Sequence, residues 1–448
     1  METLYQMPTV IGRLRQYFAP YLSLLTKPSG NKLFLLLLSL LTIQYATSIN
    51  HVFKRFLSKI SGTSLNAYYY LLSETDIPLG KFSQITVRLA LSLIPEKLNG
   101  LPILLIVDDT LQAKFGTRFE CYQTMFDHAK HNGTNYLKGH CFVALTIGVP
   151  VVTDGEVRYL HIPVCYRLRN DESKLKIASS MIDSTMDVLP SDMNVILLCD
   201  SWYPKGEVIK TVRKHANLDL IANVRADTRI FDLPPQRANR RGRPHKKGKQ
   251  LSIHNDFNFI KVEGYFIAVR VVLTNLFGEL PIYLTVTTPD ILNHKAYRVF
   301  ISTVQPYLLK ERFGGYEKKL SHSLYGQMLW LLPLFLYSFR WSIEVMFYEQ
   351  KTFWSFGLYR IRSKSGIEKF VNFSSLCYAT MKILPRLDNR FSALINQSPQ
   401  YCKFSFADAI QQEIFFSRFA LNPEIALYSD DFLNLLPFHC SQHNAFIP

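Results

Sequence analysis

Through the first 95 residues apolar side chains recur every three or four positions, over 32–48, 51–60 and 65–73, with serine, glycine and threonine between the runs. That period is helical, and no alternating stretch interrupts it. A helical segment over residues 1–95 is therefore expected. At Leu101 the texture changes: Ile103 to Val107 is an unbroken apolar run, the pattern of a strand buried on both faces, and it stops at Asp108 and Asp109. Two more strand-like runs, 140–152 and 157–167, are joined through Thr153-Asp154-Gly155, a compact turn signal that predicts a hairpin. A helix over 171–190, a buried strand over 194–199, a helix over 205–216 and a strand over 218–224 follow.

Between 226 and 305 this order breaks. A loop rich in proline, glycine and arginine, residues 234–250, leads into alternating strands over 257–262, 265–274 and 280–287, which read as a β-rich insertion. A strand-like run at 299–304 precedes a long helical region from about 320 to 352, so the interrupted α/β unit resumes over 306–390. Residues 391–448 form a C-terminal region.

At 448 residues the chain exceeds the size at which one core usually keeps growing, and 48% hydrophobic residues can fill more than one. Lysine and arginine number 51 against 35 aspartates and glutamates, a net charge of +16 that favours a polyanionic partner, nucleic acid before membrane. The richest apolar runs, 33–41 and 328–336, fall short of the roughly 20 residues that span a bilayer. No secretory pattern opens the chain, so a cytoplasmic protein is expected. Seven scattered cysteines without a CxxC pair read as reduced, mostly buried thiols.

The charges are unevenly placed. Arg13, Arg15, Lys54, Arg55 and Lys59 suit a small helical DNA-binding module or a solvated helix face equally well. The segment 237–249 holds Arg237, Arg240, Arg241, Arg243, Lys246, Lys247 and Lys249, expected to meet a DNA backbone. His128, His131 and His140 have no thiolate pair beside them and do not make a zinc site, nor do Cys440 and His443.

Asp108 closes one buried strand and Asp200 another, where open α/β sheets place their ligand sites. A third acid lies in the helical stretch around 336–351. At about 100° per residue, Tyr337, Arg340, Glu344 and Lys351 share an arc of about 60°. Aromatic and aliphatic neighbours from Phe335 to Phe347 surround this polar stripe, so it needs partners. Three carboxylates gathered together repel one another unless a cation joins them. Oxygen-only ligands favour Mg²⁺ or Mn²⁺, and two such ions about 3.5 to 4 Å apart can activate an attacking hydroxyl and stabilise a leaving oxygen. Arg340 and Lys351 would then meet phosphate oxygens.

The spacing Tyr337-x2-Arg340-x3-Glu344-x6-Lys351 resembles the YREK signature of bacterial insertion-sequence transposases of the "insertion sequence four" group, within the DDE superfamily. Asp108, in Val107-Asp108-Asp109-Thr110, and Asp200, in Cys199-Asp200-Ser201-Trp202-Tyr203, look like that family's first and second acids. Asp109 competes for the first role, but the family pattern, Asp, any residue, Thr, selects Asp108. The element order is that of a ribonuclease H-like α/β domain, 96–225 and 306–390, with the β-rich insertion at 226–305 and the helical domain before it. The resemblance covers roughly residues 30–385, including Gly357 to Ser363 after the catalytic helix.

The resemblance implies cut-and-paste DNA transposition: binding of terminal inverted repeats, metal-dependent hydrolysis, joining through a hairpin at the element's end, and transfer into target DNA. It places Asp108, Asp200 and Glu344 on two Mg²⁺ or Mn²⁺ ions and Tyr337, Arg340 and Lys351 on the end phosphates, in a homodimer bound to double-stranded DNA. Relatives with a hairpin step can hold a flipped base on an aromatic residue of the insertion. All four tryptophans here, 202, 330, 341 and 354, lie outside it. The alternatives are a non-catalytic DNA-binding descendant and a host nuclease of the same fold.

Overall fold

The structure, a computed structural model, describes residues 9–127, 133–235, 245–316 and 328–419. Its described residues begin with helices: α1 (Val10–Leu22), α2 (Lys27–Thr42), the short α3 (Ile49–Val52) and α4 (Ser58–Ile60) joined by a π-helical turn at Phe53–Leu57, then α5 (Leu65–Ser73) and α6 (Leu79–Leu91). Thr9 caps α1 by accepting the Gly12 amide at 3.0 Å, and Pro28 in the first turn of α2 has a fixed φ suited to a helix start.

The α/β part follows on one twelve-stranded sheet among the described residues. Strand β1 (Ile103–Ala113) runs antiparallel to β3 (Tyr136–Thr153), which pairs with β2 (Gln123–Phe126) and with β4 (Glu156–Leu168). On its other side β1 pairs in parallel with β5 (Val195–Cys199), and β5 with β6 (Leu218–Val224). Parallel strands need a crossover between them. Here α7 (Lys174–Met186) connects β4 to β5, and α8 (Gly206–Lys214) connects β5 to β6. The hairpin β3–β4 turns at Asp154 and Gly155, with φ of 52° and 78°, as a two-residue turn between right-twisted strands requires.

The strands expected as an insertion continue this sheet. β6 pairs antiparallel with β12 (Arg298–Ser302), β12 with β11 (Ile282–Thr288), and β11 with β10 (Tyr265–Thr274). Short strands β7 (Ile230–Phe231), β8 (Gln250–Leu251) and β9 (Ile260–Val262) finish that end. The chain then returns through α9 (Pro306–Phe313), α10 (Leu332–Ser338) and α11 (Trp341–Phe353), where sequence periodicity predicts one long helix. The two are divided at Phe339 and Arg340, where the ladder tightens to bonds three residues back, such as Arg340 N–H to Tyr337 O at 3.0 Å and Ile343 N–H to Arg340 O at 3.2 Å.

Two long helices close the described chain, α12 (Lys364–Leu387) and α13 (Pro399–Phe419). α12 packs on β4, α2, α5 and α6, while α13 packs on α1, α2 and α11. The N-terminal helices thus share one apolar cluster with the sheet, running from Leu14 to Ile410. Helix α10 lies on β6 and β12, and α11 on β1 and β4, which carries the polar stripe to the ends of β1 and β5. No helix among the described residues is long and apolar enough to cross a membrane, and the six cysteines among them are free thiols.

Candidate active site

Asp108 does not end its strand, as the apolar run predicts. β1 continues through it to Ala113, because β3 is long enough to pair with β1 as far as Ala113 opposite Gly139, with Ala144 facing Asp108. The parallel partner is what ends there: Val107 pairs with Cys199, the last residue of β5, so Asp108 and Asp200 stand side by side beyond the last parallel rung. Ile103 to Val107 and Val195 to Cys199 are all buried, and the two acids come out of the sheet's interior together.

Glu344 arrives from the other direction, in the first turn of α11. Arg340 joins it to the strand: its Nη1 donates to Asp108 Oδ2 at 2.9 Å and its Nη2 to Glu344 Oε1 at 2.5 Å. Charge-assisted forks of this kind are strong and directional. The tightened turn at 339–340 places this guanidinium between the first acid and the third. Its Nε is buried and has no hydrogen-bond partner among the described residues.

The electrostatics of the two strand-end acids are set by burial. Loss of solvent, and second the neighbouring Asp200, push the Asp108 carboxyl up to about 8 against the pull of Arg340. Asp200 is raised too, mainly by burial and then by Asp109, although the Trp202 amide on its Oδ1 at 3.0 Å favours the ionised form. Two neighbouring carboxyls that resist ionisation are groups a divalent cation would stabilise, and their donors are all oxygen. Among the described residues no three His, Cys, Asp or Glu side chains form a ready metal-ligating group. At these acids Arg340 is interposed, and Asp108 and Glu344 each commit an oxygen to it. In donor chemistry the residues fit Mg²⁺ or Mn²⁺, provided the guanidinium yields.

Asp109 has a different role from its neighbour. Its Oδ1 accepts from Lys174 Nζ at 2.8 Å and from the Tyr203 hydroxyl at 3.0 Å, and its Oδ2 accepts from Cys141 Sγ at 3.4 Å. Its own amide donates to Asp108 Oδ1 at 2.8 Å. Those bonds tie β1 to α7 and to the loop after β5, a network that no spacing in the sequence announces. Tyr203, directly after Trp202, is fully buried.

The remaining stripe residues lie close by. Tyr337 packs edge-on against Phe300 with ring centres 4.9 Å apart, and the Arg340 guanidinium stands 5.7 Å from its ring centre. Burial raises its hydroxyl pKa well above the usual value. Lys351 donates to the Leu111 carbonyl on β1 at 2.9 Å, and burial lowers its ammonium to about 8, with Asp127 opposing that shift.

Of the basic loop, Arg237, Arg240, Arg241 and Arg243 lie outside the described residues. Lys246 pairs with Glu279, Lys247 donates to the Thr274 carbonyl and Asn275 Oδ1 over the Phe231 ring, and Lys249 pairs with Asp256. His140 is a core residue: its Nδ1 shares a 2.7 Å hydrogen bond with the Tyr359 hydroxyl, and its Nε2 lies 3.0 Å from the Glu120 carbonyl. Both its ring nitrogens are thus engaged. His128, His131, Cys440 and His443 lie outside the described residues.

No protein-family model matches the chain, and no curated protein matches it either.

Proposed function

We propose that this chain is a DNA transposase of the DDE superfamily that cuts phosphodiesters at the ends of a mobile element and joins them to target DNA. The observation that carries the reading is the meeting of Asp108 and Glu344 on one guanidinium, with Asp200 just past the end of the adjacent strand, from stretches far apart in the chain. The sheet supports a ribonuclease H-like reading: β4, β3 and β1 form an antiparallel meander, and β5 and β6 follow in parallel through helical crossovers.

In this reading Asp108, Asp200 and Glu344 hold two Mg²⁺ or Mn²⁺ ions, which when bound supply Lewis-acid stabilisation of the phosphodiester. The chain's own cations handle the phosphate. Arg340, whose buried Nε has no partner among the described residues, offers donors to a non-bridging oxygen, and Lys351, now held on the Leu111 carbonyl, is a second cation for the same DNA backbone. Tyr337 backs the guanidinium and fixes where it points. DNA ends, target DNA and a homodimeric assembly belong to the same proposal, as does a cytoplasmic site of action.

The test uses the full chain with Mg²⁺ or Mn²⁺ and a plasmid carrying the DNA that flanks its own coding sequence. Cleavage at inverted repeats with joined products is expected, and Asp200→Ala, Asp108→Ala and Glu344→Gln each abolish it. Full cleavage by Asp200→Ala defeats the assignment. Cleavage indifferent to end sequence, without joining, points to a host nuclease of the same fold. The pairing of Arg340 with two of the three acids favours one further reading, a DNA-binding descendant without catalysis; DNA binding with no cleavage in either metal would establish it.

A further inference from the structure

The loop leaving β5 carries Asp200, Ser201, Trp202, Tyr203, Pro204 and Lys205. Its backbone is anchored at the candidate site: the Trp202 amide donates to Asp200 Oδ1, and the Tyr203 side chain runs inward to Asp109. The Trp202 indole therefore projects outward, 49% exposed, whereas Trp354 is 2% exposed in the core. Leaving half an indole in water forgoes much of the apolar burial available to this side chain.

Two ammonium groups attend that ring. Lys174 Nζ lies 4.7 Å from its centre and Lys205 Nζ 4.5 Å. Lys174 is held in place by Asp109 at 2.8 Å, while Lys205 pairs with no carboxylate among the described residues. An exposed π-surface flanked by one fixed ammonium and one free to shift is the combination that binds an unpaired base between its phosphates. Pairs inside a duplex are stacked on both faces and offer none to such a ring, and an apolar peptide side chain has no use for two cations.

We propose that Trp202, with Lys174 and Lys205, is a stacking platform for an unpaired nucleobase at the mouth of the acid cluster, holding single-stranded DNA beside Asp200. It rests on the nucleic-acid reading of that cluster and adds a strand-form preference to it. Lys205 leaves the ring for a phosphate, and the base takes its place against the indole.

The test measures binding by the full chain in EDTA, where no cutting occurs, using fluorescein-labelled oligothymidylate of about 20 nucleotides and a blunt duplex of equal length. Trp202→Ala is expected to weaken the single strand about tenfold and to change duplex binding less than about twofold. Trp202→Phe should keep most of the affinity, and Lys205→Ala should flatten the salt dependence for the single strand alone. Equal losses on both forms, or none on either, overturn the platform while leaving DNA binding intact. Efficient competition by thymidine monophosphate would assign the ring to a free nucleotide and overturn it as well. If the wild-type chain binds neither DNA form, the nucleic-acid reading falls with it. Melting temperatures close to wild type show that the variants remain folded, and Trp202→Phe decides the matter should the alanine variant not.

Discussion

The carboxyl of Asp108 stands between an opposing guanidinium and a like-charged neighbour, and burial weakens the ionised form further. Its folded-state pKa is raised to about 8, above the ordinary aspartate value of 3.8, so over that interval the native protein retains a proton that the unfolded chain has already lost. The stabilising contribution is whole below the ordinary aspartate range and is gone once pH has risen through about 8. Metal-free protein should therefore lose stability steadily from weakly acidic pH up to about 8, and Asp108→Asn should show a shallower loss, read on the slope of melting temperature against pH. Excess Mg²⁺ should restore stability to the wild type at the upper end of that interval and leave Asp108→Asn unmoved. Equal slopes would place the titration elsewhere. The choice between Asp108 and Asp109 is open in the apolar run itself, because successive strand residues point to opposite faces and nothing local says which face meets the helix. The pattern Asp-x-Thr favours Asp108, while Asp109 is engaged by Lys174, Tyr203 and Cys141. Those partners are illegible in the sequence because they come from three other elements.

Elements are most legible where burial imposes one period. Val195–Cys199 and Leu218–Val224 match their expected bounds closely, the first as an unbroken apolar run and the second as one interrupted only by Asp219 and Asn223. The end of β1 is harder to read because its last residues, from Asp108 to Ala113, look like a loop; only a distant partner, β3, makes them strand. Helix periodicity likewise puts Tyr337, Arg340, Glu344 and Lys351 on one stripe, yet does not show the tightened turn that swings Arg340 between the acids. β3 also approaches β1 unusually closely at one point. A β-carbon on Gly139 would stand 2.0 Å from the Gln112 carbonyl oxygen, so a side chain there must move backbone next to the Leu111 carbonyl that holds Lys351. Gly139→Ala should cost about 1–3 kcal/mol, the scale of overpacking, measured as a lowered denaturant midpoint at unchanged slope. Cleavage should fall with it. An unaltered midpoint would mean the two strands have room to spare.

At the scale of the whole molecule, the charge of +16 is more than the candidate site uses, and the loop at 237–249 holds part of the remainder. Lys246 has an exposed ion pair with Glu279, of a kind that contributes about 0–1 kcal/mol and yields readily to a phosphate. Replacing Lys246 and Lys247 together with alanine should lower the slope of log affinity against log salt by about 2, since each phosphate left unneutralised removes about 0.9. An unchanged slope would assign these lysines to the sheet they lean on. Composition raises the expectation of a polyanionic partner in outline, whereas the joining of the β-rich stretch to the rest is invisible in it, because strand pairing between distant segments leaves no local trace.

That joining limits what can be cut away. β6 is an interior strand only because β12 covers its far side, from Val224 opposite Val299 to Ile221 opposite Ser302. A shortened chain lacking residues 226–305 would bare a row of backbone amides and carbonyls two strands from Asp108, a ready template for another chain to zip onto. Trimming the molecule to its acids would thus leave it prone to clumping, whatever became of its chemistry.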